Sequence, residues 1–393
     1  MNLLYTLTAY PPSIGGAQLH QHLLAQHLSS RHNIQVATFW DENRTDWLLG
    51  TTLKAPSISN DYKIDGISVH QIGLTFRQKL QTAPFVPFYY PLMEFALPPI
   101  SQAIQAHLRP FMADVDLIHN VRIGREGLTD ASYKMAHKHD VPFVLTPVHH
   151  PRWKGWRYRV YNHLYKVADA IIALTAAEKR LLISYGVNEN RIHITGHGPH
   201  LAEVTDAAGF LQHHKLVDGP VILFLGQHYP YKGYVQLLEA AALVWQDFPE
   251  AHFVFIGPGV GNSEQLFATH SDPRIHRLGK VSLQEKSDAL AACTLLCVPS
   301  TQESFGGVYT EAWRYGKPVI GCDIPAVAEV IADGEDGFLV AQKPEAIAAR
   351  IRDLLQNPTD AARMGAVGRE KVQRKFTWDA LARKTEEVYK TVL

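Results

Sequence analysis

The chain has 393 residues, 46% hydrophobic and 19% charged, which excludes a disordered or collagen-like protein and, at roughly 100–200 residues per domain, suggests about two domains. Lys plus Arg number 38 and Asp plus Glu 38, so the formal charge is zero and nucleic-acid binding driven by bulk positive charge is excluded. No apolar run reaches the ~18 residues a membrane-spanning helix needs, and the start, MNLLYTLTAYPP, lacks the basic region and small-residue cleavage site of a secretion signal. Cys293, Cys297 and Cys322 sit in apolar stretches and read as small buried hydrophobes in a reducing compartment. The expectation is a cytoplasmic protein, either free or peripheral on the inner face of the plasma membrane.

In chain order, β-rich runs fall at 2–9, 33–40, 67–73, 115–120, 142–147 and 169–175, with helical stretches between them at 17–28, 129–139 and 176–185. The alternation restarts at 220–226 and continues through 251–257, 274–279, 294–299, 318–322 and 337–340. Such alternation is the signature of parallel sheets covered by helices, and the runs are too many for one compact doubly wound sheet. Two Rossmann-like domains joined by a linker near 195–215 are expected, and 357–393 reads as helical with no strand after it. Residues 1–195 carry 19 Lys and Arg against 14 Asp and Glu, so the two halves differ in charge sign.

Four segments carry chemistry. After the first strand, Pro11 and Pro12 break the chain, and Gly15 and Gly16 leave backbone amides free where a helix begins. After the strand at 220–226, Lys232 stands before Gly233 at the next helix start, placing an ammonium beside free amides, the pairing phosphate recognition needs. In PSTQESFGGVYTEA, Glu303 precedes a helix opened by Gly306 and Gly307 while Glu311 lies on it, so both carboxylates can point into one crevice. In PFVLTPVHHP, His149 and His150 lie just past a strand end, where α/β proteins bind ligands. The remaining histidines and Cys293-x3-Cys297 form no zinc pattern. From Arg152 to Lys166, five Lys and Arg alternate with five aromatics and no acid, a composition suited to an anionic membrane surface or, alternatively, to a solvated, partly buried helix. Residues 84–99, rich in proline and aromatics, read as an apolar lip over an acceptor cleft.

These segments resemble the retaining glycosyltransferases of the GT-B fold, specifically glycosyltransferase family 4. ESFGGVYTEA (303–312) resembles that family's Glu-x7-Glu motif, and YKGYVQLLEAAALVWQDFPEAHFVFIGPG (231–259) its donor-phosphate segment. PPSIGGAQLHQHLLAQHL (11–28) resembles the amino-terminal Gly-Gly loop, and LTPVHHP (145–151) the segment with the active-site histidine. GKPVIGCDIPAVAEVIADGEDGFLV (316–340) and FTWDALARKTEEVY (376–389) resemble the family as well.

The resemblance implies two Rossmann-like doubly wound domains facing a central cleft, with a C-terminal helix packing back on the N-terminal domain. Residues 1–198, with the helix at about 377–393, would bind the acceptor, and 199–376 would bind the nucleotide-sugar donor. It implies transfer of a sugar from a UDP- or GDP-sugar, with retention and without a metal or other cofactor, to a glycan or lipid-linked acceptor. His149, Glu303 and Lys232 would be catalytic; His149 is preferred over His150 because it is nearer the strand end. Gly15, Gly16, Gln227, Lys232, Glu303, Ser304, Phe305, Gly306, Gly307, Val308 and Glu311 would bind the donor. Two departures stand out. Gln227 replaces the arginine that similar proteins carry five residues before the lysine, and CDIPAVAE replaces a glycine-rich run before Glu329. The alternatives are a nucleotide-sugar epimerase or sugar phosphorylase of the same fold, or a catalytically silent binding subunit, which Gln227 favours.

Overall fold

The computed structural model describes residues 1–13, 15–42, 46–121, 127–149, 153 and 155–393; His150, Arg152 and Lys154 therefore lie outside the described residues. The chain divides into two compact units, Met1–Gly196 with Trp378–Leu393, and His197–Thr377.

The first unit holds eight strands: β1 (Asn2–Ala9), β2 (Asn33–Trp40), β3 (Asn60–Ile64), β4 (Ile67–Gln71), β5 (Leu117–Val121), β6 (Phe143–Thr146), β7 (Ala170–Ala173) and β8 (Ile192–Ile194). Their order is β3-β4-β2-β1-β5-β6-β7-β8, parallel except for β3, which pairs antiparallel with β4 at one edge. β5 is buried throughout and β1 at all but its first residue, as strands covered on both faces are, with Thr6, His119 and Asn120 among the buried residues. Periodicity misses β3 and β8. β3 is a largely exposed edge strand without an apolar face, and β8 is three residues long.

The terminal helix Trp378–Lys390 completes this unit. Trp378, Leu381, Ala382, Thr385, Val388 and Tyr389 recur at helical spacing and are all buried. They pack with Leu24, Ala25 and Leu28 of the helix Gly16–Leu28, and the Trp378 ring lies 5.3 Å from that of His20. The last helix expected at about 377–393 begins at Trp378, after a separate helix Pro358–Lys375 that belongs to the second unit.

The second unit holds β9 (Val221–Leu225), β10 (His252–Ile256), β11 (Ile275–Gly279), β12 (Leu295–Val298), β13 (Val319–Cys322) and β14 (Gly337–Val340). The order is β11-β10-β9-β12-β13-β14, and every pair is parallel. All three cysteines are free and buried. The expected linker at 195–215 is fixed to this unit: Ala202 N–H donates to Ser287 Oγ (2.9 Å), Asp206 N–H donates to Asp288 Oδ1 (2.7 Å), and a helix forms at Ala207–His213. Its polar composition satisfies these local caps and is not a sign of slack.

Among the described residues no helix is long and apolar enough to cross a membrane.

Candidate functional site

In an open parallel sheet, ligands bind outside the carboxyl ends of the strands where the strand order reverses. In the second unit the order reverses between β9 and β12. The loop after β9 carries Gln227 and Lys232, and the loop after β12 carries Glu303 to Gly306, so both sequence-predicted segments flank that point.

Local chemistry fixes the two loops. Gly233 follows the short turn Pro230–Lys232 at φ 80°, a left-handed conformation that favours glycine, and a Cβ there would lie 2.6 Å from the Pro299 carbonyl oxygen. The loops therefore approach at backbone distance. Gln342 Nε2 donates to the carbonyls of Tyr231 (2.9 Å) and Pro299 (2.7 Å), one from each loop. Gly306, at φ 87°, starts the helix Gly307–Arg314, and Tyr309 Oη donates to the Val298 carbonyl at 2.7 Å, tying that helix to the end of β12.

Across this junction Lys232 Nζ lies 2.5 Å from Glu303 Oε1, with side chains 21% and 12% exposed. The arrangement brings Lys232 and Glu303 together. Glu311 is held by a different ammonium: Lys286 Nζ donates to Glu311 Oε1 (2.8 Å) and to the His200 carbonyl (2.6 Å), while His200 N–H donates to Glu311 Oε1 (3.3 Å). Lys286 lies on the helix Leu283–Ala292, and nothing in the sequence around it, SLQEKSD, distinguishes it from a solvated lysine.

Phe305 is buried, its ring 5.9 Å from His197 and 5.3 Å from Phe376, so it anchors the loop by packing. Ser304, Gly307 and Val308 are partly exposed beside it. Gln227 is partly buried; its carbonyl accepts from Tyr229 N–H at 2.8 Å.

In the first unit the strand order reverses at β1 and β5. Gly15, extended, and Gly16 begin the helix Gly16–Leu28, beside a small cleft lined by Leu7, Ala9, Ala17, Gln18, Trp47 and Val121. One Asp-x-Asp spacing exists, Asp114-Val115-Asp116, but it precedes β5 at the opposite edge, where Asp116 accepts from Asn2 N–H at 2.7 Å.

His149 follows β6 and is buried. Its N–H donates to Glu178 Oε1 at 2.6 Å, its Nδ1 lies 2.7 Å from Tyr165 Oη, and the rings of Trp153, Tyr165 and Tyr185 stand 5.6–5.8 Å away. Val148, a β-branched residue, is held at φ 46°, a strained conformation of the kind that collects at functional sites.

Glu178 is the residue sequence reasoning missed. Thr175-x-x-Glu178 is a helix-capping pattern, and Thr175 does accept from Glu178 N–H (3.1 Å). The carboxylate instead reaches past the cap to the N–H groups of Leu174 (2.8 Å) and His149. Burial pushes its pKa up to about 7, against the lowering effect of those two donors.

The basic aromatic segment folds in part inward. Tyr161, Leu164 and Tyr165 of the helix Arg159–Val167 are core residues, as in a partly buried helix, while Trp156 and Arg157 are exposed.

The chain matches the family Glycosyltransferase Family 4 over residues 14–202 and Glycosyl transferases group 1 over residues 210–371. The chain belongs to glycosyltransferase family 4. It is similar to a phosphatidyl-myo-inositol mannosyltransferase of Mycobacterium tuberculosis, 34% identical over 181 residues that cover 44% of this chain and 48% of the relative. It is also similar to a D-inositol 3-phosphate glycosyltransferase of Nocardioides, 28% identical over 248 residues, 57% of this chain and 54% of the relative. The matched region thus spans about half the length of these relatives. Anabaena HepE, solved in complex with UDP-glucose, superposes with a TM-score of 0.77 at 18% identity, covering 100% of both chains. The fold is accordingly GT-B. Glu178 and His149 fall within the first family match, and Lys232, Lys286, Glu303 and Glu311 within the second.

Proposed function

We propose that this family 4 protein is a retaining, metal-independent hexosyltransferase that moves a sugar from a UDP- or GDP-sugar to the hydroxyl of a cell-surface glycan or lipid-linked acceptor. The observation that carries the reading is the 2.5 Å Lys232–Glu303 pair at the reversal point of the second sheet. A nucleotide diphosphate seated there meets an ammonium, free amides at Gly306 and Gly307, and a carboxylate able to accept from sugar hydroxyls.

In the proposed reaction the bond between the anomeric carbon and the phosphate oxygen breaks, and the acceptor oxygen bonds to that carbon on the same face. The acceptor proton passes to the departing phosphate oxygen, and the nucleoside diphosphate leaves. Lys232 and the glycine amides stabilise charge where it develops on the diphosphate. Glu303 holds the sugar, Glu311 the ribose hydroxyls, and Ser304, Phe305 and Val308 shape the loop. In the first unit, His149 is assigned a catalytic role, and the amides of Gly15 and Gly16 a donor-binding role. Residues 1–198 with 377–393 are assigned to the acceptor and 199–376 to the donor. A membrane-borne acceptor makes an anionic membrane surface the second partner, through the Arg152–Lys166 segment.

Gln227 favours a second reading, a nucleotide-sugar binding subunit without turnover, because a neutral amide supplies one cation fewer to the diphosphate. Calorimetric titration with UDP, GDP, ADP and dTDP, repeated on Lys232→Ala, tests both. Micromolar binding of one nucleotide, lost in the variant, supports the donor site; binding of none rejects it. Binding without transfer to any acceptor supports the second reading.

A further inference from the structure

We infer that the helical hairpin at residues 76–108, together with Trp156, is a docking face for an anionic lipid bilayer. The inference rests on the membrane partner proposed above, moves its contact chiefly to this hairpin, and is independent of the donor-site reading.

The hairpin carries large apolar side chains on both its inward and its outward side. Inward, Tyr89, Met93, Ala96, Leu97, Ile100 and Ile104 fill the core of the first unit. Outward, Phe76, Leu80, Phe88, Leu92, Phe95 and, on a neighbouring turn, Trp156 are 48–77% exposed. Their spacing places them in two stripes. Phe76 and Leu80 are i and i+4 on the helix Phe76–Thr82. Phe88, Leu92 and Phe95 are i, i+4 and i+7 across helical turns closed by Leu92 N–H to Phe88 O (2.8 Å) and Phe95 N–H to Leu92 O (3.0 Å). The core takes only the inward set, and the outward set stays exposed among polar neighbours such as Arg77, Gln81 and Glu94.

Three contacts make these side chains one body. Gln78 Nε2 donates to the Ala103 carbonyl at 3.3 Å, joining the helix Phe76–Thr82 to Met93–Leu108. Phe85 and Phe95 meet at 5.4 Å between ring centroids. Arg159 grips Glu94 with two hydrogen bonds of 2.5 and 2.6 Å, donates to the Trp156 carbonyl at 2.9 Å, and places its guanidinium 4.4 Å from the Trp156 ring centroid. Trp156 is thereby tied through Arg159 to Glu94, which precedes Phe95 on the helix Met93–Leu108.

The charge pattern selects the occupant. Glu94 is the one acid between Asp65 and Asp114, and no acid occurs between Asp140 and Asp169. Glu94 is already taken by Arg159. Among the described residues the exposed Arg77 and Arg157 make no ion pair. A second copy of this face would set arginine against arginine with no carboxylate to spare, so the face is not self-complementary. Aromatic and aliphatic side chains that project singly among arginines suit the headgroup boundary, where the rings enter the acyl region and the cations meet anionic lipid.

The experiment is flotation of the full chain with phosphatidylcholine vesicles and with vesicles containing phosphatidylglycerol, at low and high salt. The variants are Phe88→Ser/Leu92→Ser/Phe95→Ser and Arg77→Glu/Arg157→Glu, each checked by thermal melt and by nucleotide affinity. Expected is binding to the anionic vesicles, weakened by salt, and lowered about ten-fold or more in either variant. An unchanged melt and unchanged nucleotide affinity locate the loss in the docking face and keep it separate from the donor site. Equal partition onto neutral vesicles, or anionic binding untouched by the triple variant, overturns the inference. So does a concentration-dependent dimer in sedimentation that the triple variant dissolves, which would make the occupant a second copy.

Discussion

The backbone N–H of His149 donates to Oε1 of Glu178 at 2.6 Å, and Oε2 of the same carboxylate accepts from Leu174 at 2.8 Å. Each oxygen accepts one backbone N–H, so the carboxyl is held between two amides. The folded group titrates at about 7, raised by burial from 4.5. A raised carboxyl contributes stability that is fully present below the unfolded pKa and lost as pH rises through the folded one, so the loss falls between pH 4.5 and 7 and is on the order of 3 kcal/mol. Urea unfolding of Glu178→Gln across that window should lack this loss of stability on raising the pH. The amide retains one acceptor and puts an NH2 against the other N–H, so transfer should also fall about ten-fold or more at unchanged nucleotide affinity. A drop in nucleotide affinity of the same size would mean general unfolding.

Lys232 and Glu303 predict opposite effects on the same site. Lys232→Ala removes the cation and leaves Glu303 facing the diphosphate as a like charge, so nucleotide affinity should fall by more than about ten-fold. Glu303→Gln releases Lys232 from its 2.5 Å partner, so nucleoside diphosphate affinity should hold or rise while transfer collapses. Titration and product assay on the two variants check this. Parallel loss of affinity in both would remove Glu303 from the sugar and make it a support for the lysine.

Most of the fold was legible because strands in parallel sheets are buried on both faces: the runs at 2–9, 33–40 and 337–340 coincide with β1, β2 and β14. The parts that periodicity missed, β3 and β8, lack an apolar face or length. Lys232 and Glu303 announce themselves through adjacent glycines, since the backbone conformations at Gly233 and Gly306 demand that residue. Lys286 and Glu178 had no such marker. Their partners, Glu311 and His149, lie 25 and 29 residues away, and only folding brings them together.

Lys286 reaches Glu311 and the His200 carbonyl at once, so it fixes the direction of the carboxylate as well as its charge. With side chains 16% and 10% exposed, removing the ammonium leaves a half-desolvated carboxylate with only the 3.3 Å His200 N–H. Lys286→Met should therefore weaken nucleoside diphosphate binding about ten-fold and erase the preference for ribose over 2′-deoxyribose. Lys286→Arg should preserve much of both. Competition between a nucleotide and its 2′-deoxy form measures the preference; if Lys286→Met leaves it intact, Glu311 does not read the ribose.

The terminal helix is closed onto the first sheet by a buried chain of polar groups. Tyr389 Oη lies 2.6 Å from His119 Nδ1 and 3.0 Å from Tyr5 Oη, and His119 Nε2 lies 2.8 Å from Thr146 Oγ1. Burial lowers the His119 pKa to about 3, so the ring is neutral at pH 7. A depressed histidine favours the unfolded chain once that chain binds a proton, so stability is lost as pH falls from 6.5 towards 3. This slope has the opposite sign to that of Glu178, and between pH 4.5 and 6.5 the two oppose each other in the same unit. Glu178→Gln should expose the acid slope of His119 across that window, and His119→Gln should expose the rising cost of Glu178. Tyr389→Phe should cost about 1–3 kcal/mol at neutral pH by leaving His119 Nδ1 and Tyr5 Oη without that hydroxyl. Urea titrations of the three variants at pH 4.5, 5.5 and 6.5 separate these effects; identical slopes in all of them would show that neither group titrates within the folded core.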